Sequence, residues 1–223
     1  MQQIEDPRVE KDRVVSAFHT AILKVIVGED GDQQKTFLVH EGVICLRSKF
    51  FHNALNGEWI ESTERAVKSP DDAPAVFEHY LQLLYAGSIP ILGQDRQFDD
   101  LTKVYVLAEK LMDIRSKNKI VSAMLARSKV NFPFMSAVAA LYSGTPESSP
   151  ARRLYVDVCA SSGNLTADAF GISAKTLPHE FHIDLGRVML SQRHLFKSNI
   201  EKSHERPEEY MEKEEQEGVS SNN

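Results

Sequence analysis

The sequence predicts an α+β fold, with a small sheet early in the chain and helix upon helix after it. Two observations carry this. Runs of β-branched residues separated by turn chemistry cluster before residue 70. Beyond it the apolar residues recur at helical spacing, bracketed by proline starts and glycine stops. A sheet segregated from a series of helices is the α+β arrangement.

The elements follow in order. Residues 1–12 are polar and read as a solvated lead-in. Val14, Val15, Phe18 and Ile22 share one face at helical spacing, which predicts a short amphipathic helix. "ILKVIVG" (Ile22–Gly28) is rich in β-branched residues and reads as a buried strand. "EDGD" (Glu29–Asp32) is a turn, and "KTFLV" (Lys35–Val39) a second strand, so the two are expected to pair as a hairpin. After His40 the period becomes helical. Val43 and Ile44, then Ser48, Phe50, Phe51, Ala54 and Leu55, fit one or two helices, with Ser48 as N-cap and Gly57 as the stop. "ERAVKS" (Glu64–Ser69) is a candidate third strand.

The next helix is capped by Asp72 or Ala73, has Pro74 near its first position and ends at Gly87. Its expected inward face is Phe77, Tyr80, Leu81 and Leu84. "SIPIL" (Ser88–Leu92) is a brief extended piece. "FDDLTKVYVLAEKLMD" (Phe98–Asp113) turns Leu101, Val104, Tyr105, Ala108, Leu111 and Met112 inward. "IRSKNKIVSAMLAR" is helical as well. "NFPFMSAVAALYSG", "SSPARRLYVDVCASSG" and "LPHEFHIDLGRVML" repeat one grammar of proline start, apolar stripe and glycine stop, and predict three further helices.

A length of 223 residues suits one domain with extensions. The net charge of −6 argues against a general nucleic-acid binder, which needs a basic face. Residues 201–223 hold eight Glu against three Lys or Arg, so the rest of the chain is almost neutral. That acidic tail is expected to be disordered or a frayed helix. The two cysteines, Cys45 and Cys159, lie in apolar contexts and give no disulfide framework. No apolar run is long enough for a membrane span, and the polar start lacks a secretory signal. An intracellular protein, in cytoplasm or nucleus, is the expectation.

Four features invite a chemical reading. His40 and Cys45 lie close together but lack the further ligands of a metal site. Cys45 sits between Ile44 and Leu46, which suits a core residue better than a nucleophile. "HEFH" (His179–His182) misses the HExxH zinc motif by one position, and His194 is the only candidate third ligand. Trp59 reads as packing against the body, with an interaction anchor as the alternative. Arg152 and Arg153 read as a solvated helix face.

The residues from Leu23 to Ser62 carry a resemblance. A strand ending at Gly28 is followed by Phe37, Val39 and His40, then by Arg47, Ser48 and Phe51. This resembles the first half of a BTB/POZ domain in its fungal form. "VFEHYLQLLYAGSI" is similar to that family's helix ending at Leu84, Tyr85 and Gly87, and "YVLAEKLMD" (Tyr105–Asp113) to the helix that follows. Four blocks in order make a specific signal. It divides the chain into a lead-in (1–20), a BTB/POZ domain (21–127), a helical extension (128–200) and the acidic tail (201–223).

The resemblance implies a three-stranded sheet flanked by helices and a scaffold for protein–protein contacts, with no active site, cofactor or metal. Family members form homodimers or hetero-oligomers. Some bring substrates to cullin-based ubiquitin ligases and others recruit transcriptional regulators. Neither nucleic acid nor membrane is implied as a partner. His40, Ser48 and Phe51 are the candidate structural junction.

Three positions depart from the pattern. Many members put Asp at the position of Lys24 and a basic residue at Glu41, where some form a charged pair in a groove near the dimer interface. Lys24 and Glu41 are therefore the candidate interaction groove, expected to pair with signs reversed. Ser69 stands where the family usually has an apolar residue, which weakens the third strand. The lead-in offers little apolar surface for the long first helix of dimeric members. No zinc-finger pattern or kelch-type repeat follows the domain.

Overall fold

Alternation between apolar and polar side chains places the first strand, and the sheet grows from it. The computed structural model describes residues 17–31, 34–56, 64–93, 96–130, 133, 135–161 and 175–191. Strand β1 (Ile22–Val27) pairs antiparallel with β2 (Lys35–His40), with Lys24 opposite Leu38 and Ile22 opposite His40. Strand β3 (Ala66–Ser69) joins the other side of β1 in parallel, so the order is β2-β1-β3. Gly28 closes β1 with φ 100°, a conformation that favours glycine.

The buried-strand expectation for β1 holds on one face alone. Leu23, Val25 and Val27 are fully buried, while Ile22 and Lys24 face outward. Side chains alternate across a strand, and the helices cover one side of the sheet. Ser69, expected to weaken the third strand, is its last residue. It pairs with Val27, its carbonyl accepts the Gly28 N–H at 3.1 Å, and its hydroxyl bonds Asp72.

Eight helices follow among the described residues: α1 (Glu41–Cys45), α2 (Lys49–Asn56), α3 (Pro74–Ala86), α4 (Gln97–Lys110), α5 (Ile114–Ser128), α6 (Met135–Gly144), α7 (Pro150–Ser161) and α8 (His179–Ser191). The α+β expectation of a small three-stranded sheet with a cluster of helices is met. Helix α3 has Pro74 at its start, Ala73 as N-cap without a side-chain bond, and Gly87 at φ 69° bonding back to Leu83. Its inward face includes Leu83, 1% exposed, in addition to Phe77, Tyr80 and Leu84, whereas Leu81 is half-buried.

The core is continuous. Under the sheet, Leu23, Val25 and Val67 share one buried cluster with Phe51 of α2 and Phe77 and Tyr80 of α3. It continues through Val104 and Tyr105 of α4, Leu141 of α6, Tyr155 of α7 and Phe181 of α8. One side chain assigned inward is outward: Met112 is 42% exposed. The chain leaves α4 at Leu111, and Met112 takes φ 54°, which swings its side chain off the helical stripe.

Arg152 also differs from its reading as a solvated residue. It is 7% exposed, and its guanidinium donates to Thr145 Oγ1 at 3.0 Å, to the Tyr142 carbonyl at 2.5 Å and to the Thr145 carbonyl. The Tyr142 ring lies 4.4 Å beneath it, and the Tyr142 hydroxyl donates to Asp184 at 2.8 Å. One arginine thus satisfies the end of α6 from α7, and the tyrosine it stacks on reaches α8. Arg153 is exposed.

Candidate functional site

The open face of the sheet displays Ile22, Lys24, Leu38 and Lys68 to solvent, with Phe18 beside it. Leu38 is 66% exposed, Phe18 49% and Ile22 45%. These apolar side chains surround His40. Its ring stacks edge-on against Phe18 at 5.6 Å, and the Tyr85 hydroxyl of α3 bonds both its backbone N–H (3.0 Å) and its Nδ1 (3.1 Å). Tyr85 therefore covers the end of edge strand β2, where an unpaired N–H would otherwise remain.

Lys24 lies within this face, on the central strand between Leu38 and Ala66, and it does not pair with Glu41. Glu41, at the first position of α1, forms its ion pair with Arg65, just before β3. Sheet pairing explains the exchange. The Lys24 N–H donates to the Arg65 carbonyl at 3.0 Å, so Arg65 is fastened beside Lys24 by its backbone and extends its guanidinium to Glu41. Arg65 also adopts φ 50°, a left-handed conformation that a non-glycine residue rarely takes. The residue that completes the charged pair lies 24 residues further on, just before another strand, where no local pattern connects it to Glu41.

Behind the face, the stretch from Arg47 to Phe51 is tied to the start of α5. Ser48 is fully buried. Its hydroxyl donates to the Leu111 carbonyl at 2.6 Å, and its Oγ accepts the Phe51 N–H at 3.2 Å. Arg47 Nε lies 3.3 Å from Asp113, which also accepts from the Tyr80 hydroxyl (3.2 Å), the Ser116 N–H (2.9 Å) and the Ser116 hydroxyl (2.7 Å). Burial, followed by the charge of Asp113, pushes the Tyr80 phenol far above its ordinary value. Phe51 is 1% exposed and packs edge-on against Phe50.

Cys45 is half-buried, and its thiol is pushed up to about 11, first by desolvation and then by Glu41, with Arg65 opposing. A thiol held neutral in this way is a poor nucleophile at physiological pH. Among the described residues no group of three His, Cys, Asp or Glu is placed to hold a metal ion. His182 Nδ1 approaches the Pro178 carbonyl at 2.9 Å within its own helix start. Val14, Val15, Gly57, Trp59, His194 and the acidic tail lie outside the described residues.

An open sheet face, a strand-to-helix junction held by Arg47, Ser48 and Asp113, and Tyr85 of α3 bonded to the end of the edge strand are the features of this region. Residues 19–129 match the model of the BTB/POZ domain. They form a BTB/POZ domain. This domain is a protein-interaction module and not a catalytic family. Over 110 residues the chain is 26% identical to the human protein described as inhibitor of Bruton tyrosine kinase, and the mouse protein of that description matches to the same extent. The match covers 49% of this chain and 8% of either relative, so this BTB/POZ chain corresponds to a small part of those proteins. No helix of the described residues is long and apolar enough to cross a membrane.

Proposed function

We propose that this BTB/POZ chain associates with itself, or with a second BTB/POZ protein, through the open face of its sheet. The observation that carries the reading is the patch formed by Phe18, Ile22 and Leu38 next to edge strand β2. Scattered apolar residues are normal on a surface, whereas a cluster bordered by charges is the composition of an interface. Lys24, inside the patch, and the Glu41–Arg65 pair act on partner choice. An exposed pair contributes only about 0–1 kcal/mol to stability, but a like charge set opposite it repels the wrong partner.

His40 lies in this surface, Ser48 and Phe51 support it from behind, and the helices after residue 129 are read as an extension packed on the domain. The fungal form of the family and an intracellular setting belong to the same reading. A cullin-based ligase or a transcriptional regulator as partner rests on the resemblance alone, and co-purification with a cullin would decide the first.

Light scattering on the purified chain across a concentration series tests the proposal. The expected result is a mass that rises to a dimer, with Leu38→Glu and Ile22→Lys returning it to the monomer while circular dichroism stays unchanged. A wild-type monomer at every concentration, with no second BTB/POZ protein captured, would sink the idea.

A further inference from the structure

A cavity of about 420 Å³ opens on a different side of the BTB/POZ domain, between the end of α3, residues 88–92, the start of α4 and the second half of α5. Its wall is mainly apolar, with Leu83, Ile89, Ile91, Leu101 and Ala123 contributing. Two cations, Lys119 and Arg127, stand on it, and no described lining residue is acidic although the chain carries a net charge of −6. Neither cation forms an ion pair among the described residues. The Lys119 ammonium lies beside Gly87, 3.8 Å from where a Cβ would stand, at the negative end of α3. Arg127 has its Nε sealed from solvent without a hydrogen-bond acceptor. A buried donor left unpaired on a charged group is unfavourable until a partner arrives.

The spacing of the cations selects the ligand. Lys119 and Arg127 are eight residues apart on one helix, about 12 Å along its axis. Two carboxylates at that spacing give each cation its own partner. An extended peptide advances about 3.3 Å per residue, so two acidic residues four apart match the span. The apolar rim points the same way: Leu92 is 93% exposed and Val130 76%, and both line the mouth. A ligand confined to the cavity would leave them wet. We propose that this cavity docks a short acidic segment of a partner protein, seating one bulky apolar side chain between two carboxylates that engage Lys119 and Arg127. The site is separate from the open sheet face and does not depend on self-association.

The test uses the full chain and a fluorescein-labelled pool of five-residue peptides, with Asp or Glu at both ends and Leu, Ile, Phe or Met in the centre. Fluorescence polarisation is expected to show saturable binding that weakens about tenfold or more when the end residues become Asn or Gln, or the centre Ser. Lys119→Gln and Arg127→Gln should each weaken it about fivefold, Ala123→Phe should abolish it by filling the cavity, and Leu38→Glu should leave it unchanged. Circular dichroism establishes that each variant is folded; if Arg127→Gln is not, Lys119→Gln and the loss of binding with added salt carry the test. Equal binding of acidic and neutral pools, or binding indifferent to Lys119→Gln and Ala123→Phe, overturns the proposal. So does a concentration-dependent mass that survives Leu38→Glu and is lost in Ala123→Phe, because it assigns the cavity to a second copy.

Discussion

Asp113 shows how much one buried side chain can hold. It caps α5 through the Ser116 N–H, receives the Tyr80 hydroxyl from α3, and pairs with Arg47, just before α2. Its side chain is completely buried, so removing it takes the acceptor from Arg47 Nε, the Tyr80 phenol and the Ser116 amide and hydroxyl. Asp113→Ala is expected to destabilise the folded chain by about 3–5 kcal/mol, read from urea unfolding. A loss below about 1 kcal/mol would mean that water replaces the carboxylate. Arg47 and Ser48 were legible as a motif; the carboxylate that gives Arg47 its partner lies 66 residues further on. Cys45 makes the second prediction at this scale. With its thiol raised from 9.0 to about 11, it should alkylate about a hundredfold more slowly than a free cysteine at pH 8, with the rate rising as pH approaches 11. The sign for stability follows: the folded state holds the proton more tightly, so this contribution is intact below pH 9 and is lost as pH rises toward 11. Rapid labelling of native Cys45 by iodoacetamide at pH 8 would refute it.

Between elements, close approach depends on what is missing as much as on what is present. At the end of α6, a Cβ on Gly144 would overlap Val106 Cγ1 of α4 and stand 2.8 Å from its Cγ2. The helix-terminating glycine in "ALYSG" is thus also the contact that lets α6 lie against α4. Gly144→Ala is expected to destabilise by about 1–3 kcal/mol, with Val106→Ala in the same chain recovering part of the loss. Thermal unfolding of the single and double variants checks this, and equal stability of wild type and Gly144→Ala would count against it. The helices themselves were readable because proline starts and glycine ends are local signals. Their pairing was not. Nothing near Arg152 in sequence shows that its guanidinium turns inward onto Tyr142 and the end of α6. That follows from the crossing of two helices, where unsatisfied carbonyls need a donor.

Taken whole, the BTB/POZ domain presents two surfaces of different chemistry. One is the open sheet face, where Ile22, Leu38 and Phe18 are exposed beside Lys24 and Lys68. The other is the cavity between α3, α4 and α5, concave and cationic. They are lined by different residues, and the variants named for each separate them. The sheet face was half legible. Lys24 and Glu41 were singled out, but Leu38 was not, because "TFLV" is an apolar run in which period two does not say which residue faces out.

By itself, the sequence determined the kinds of elements, their order and the BTB/POZ pattern from Gly28 to Asp113, because propensity, capping and turn chemistry act within a few residues. Only the tertiary structure decided the partners. It gave Glu41 to Arg65 instead of Lys24, Asp113 to Arg47, and Tyr85 to His40. Each of those contacts joins residues far apart in the chain, and its formation depends on strand register and helix packing that no local pattern encodes.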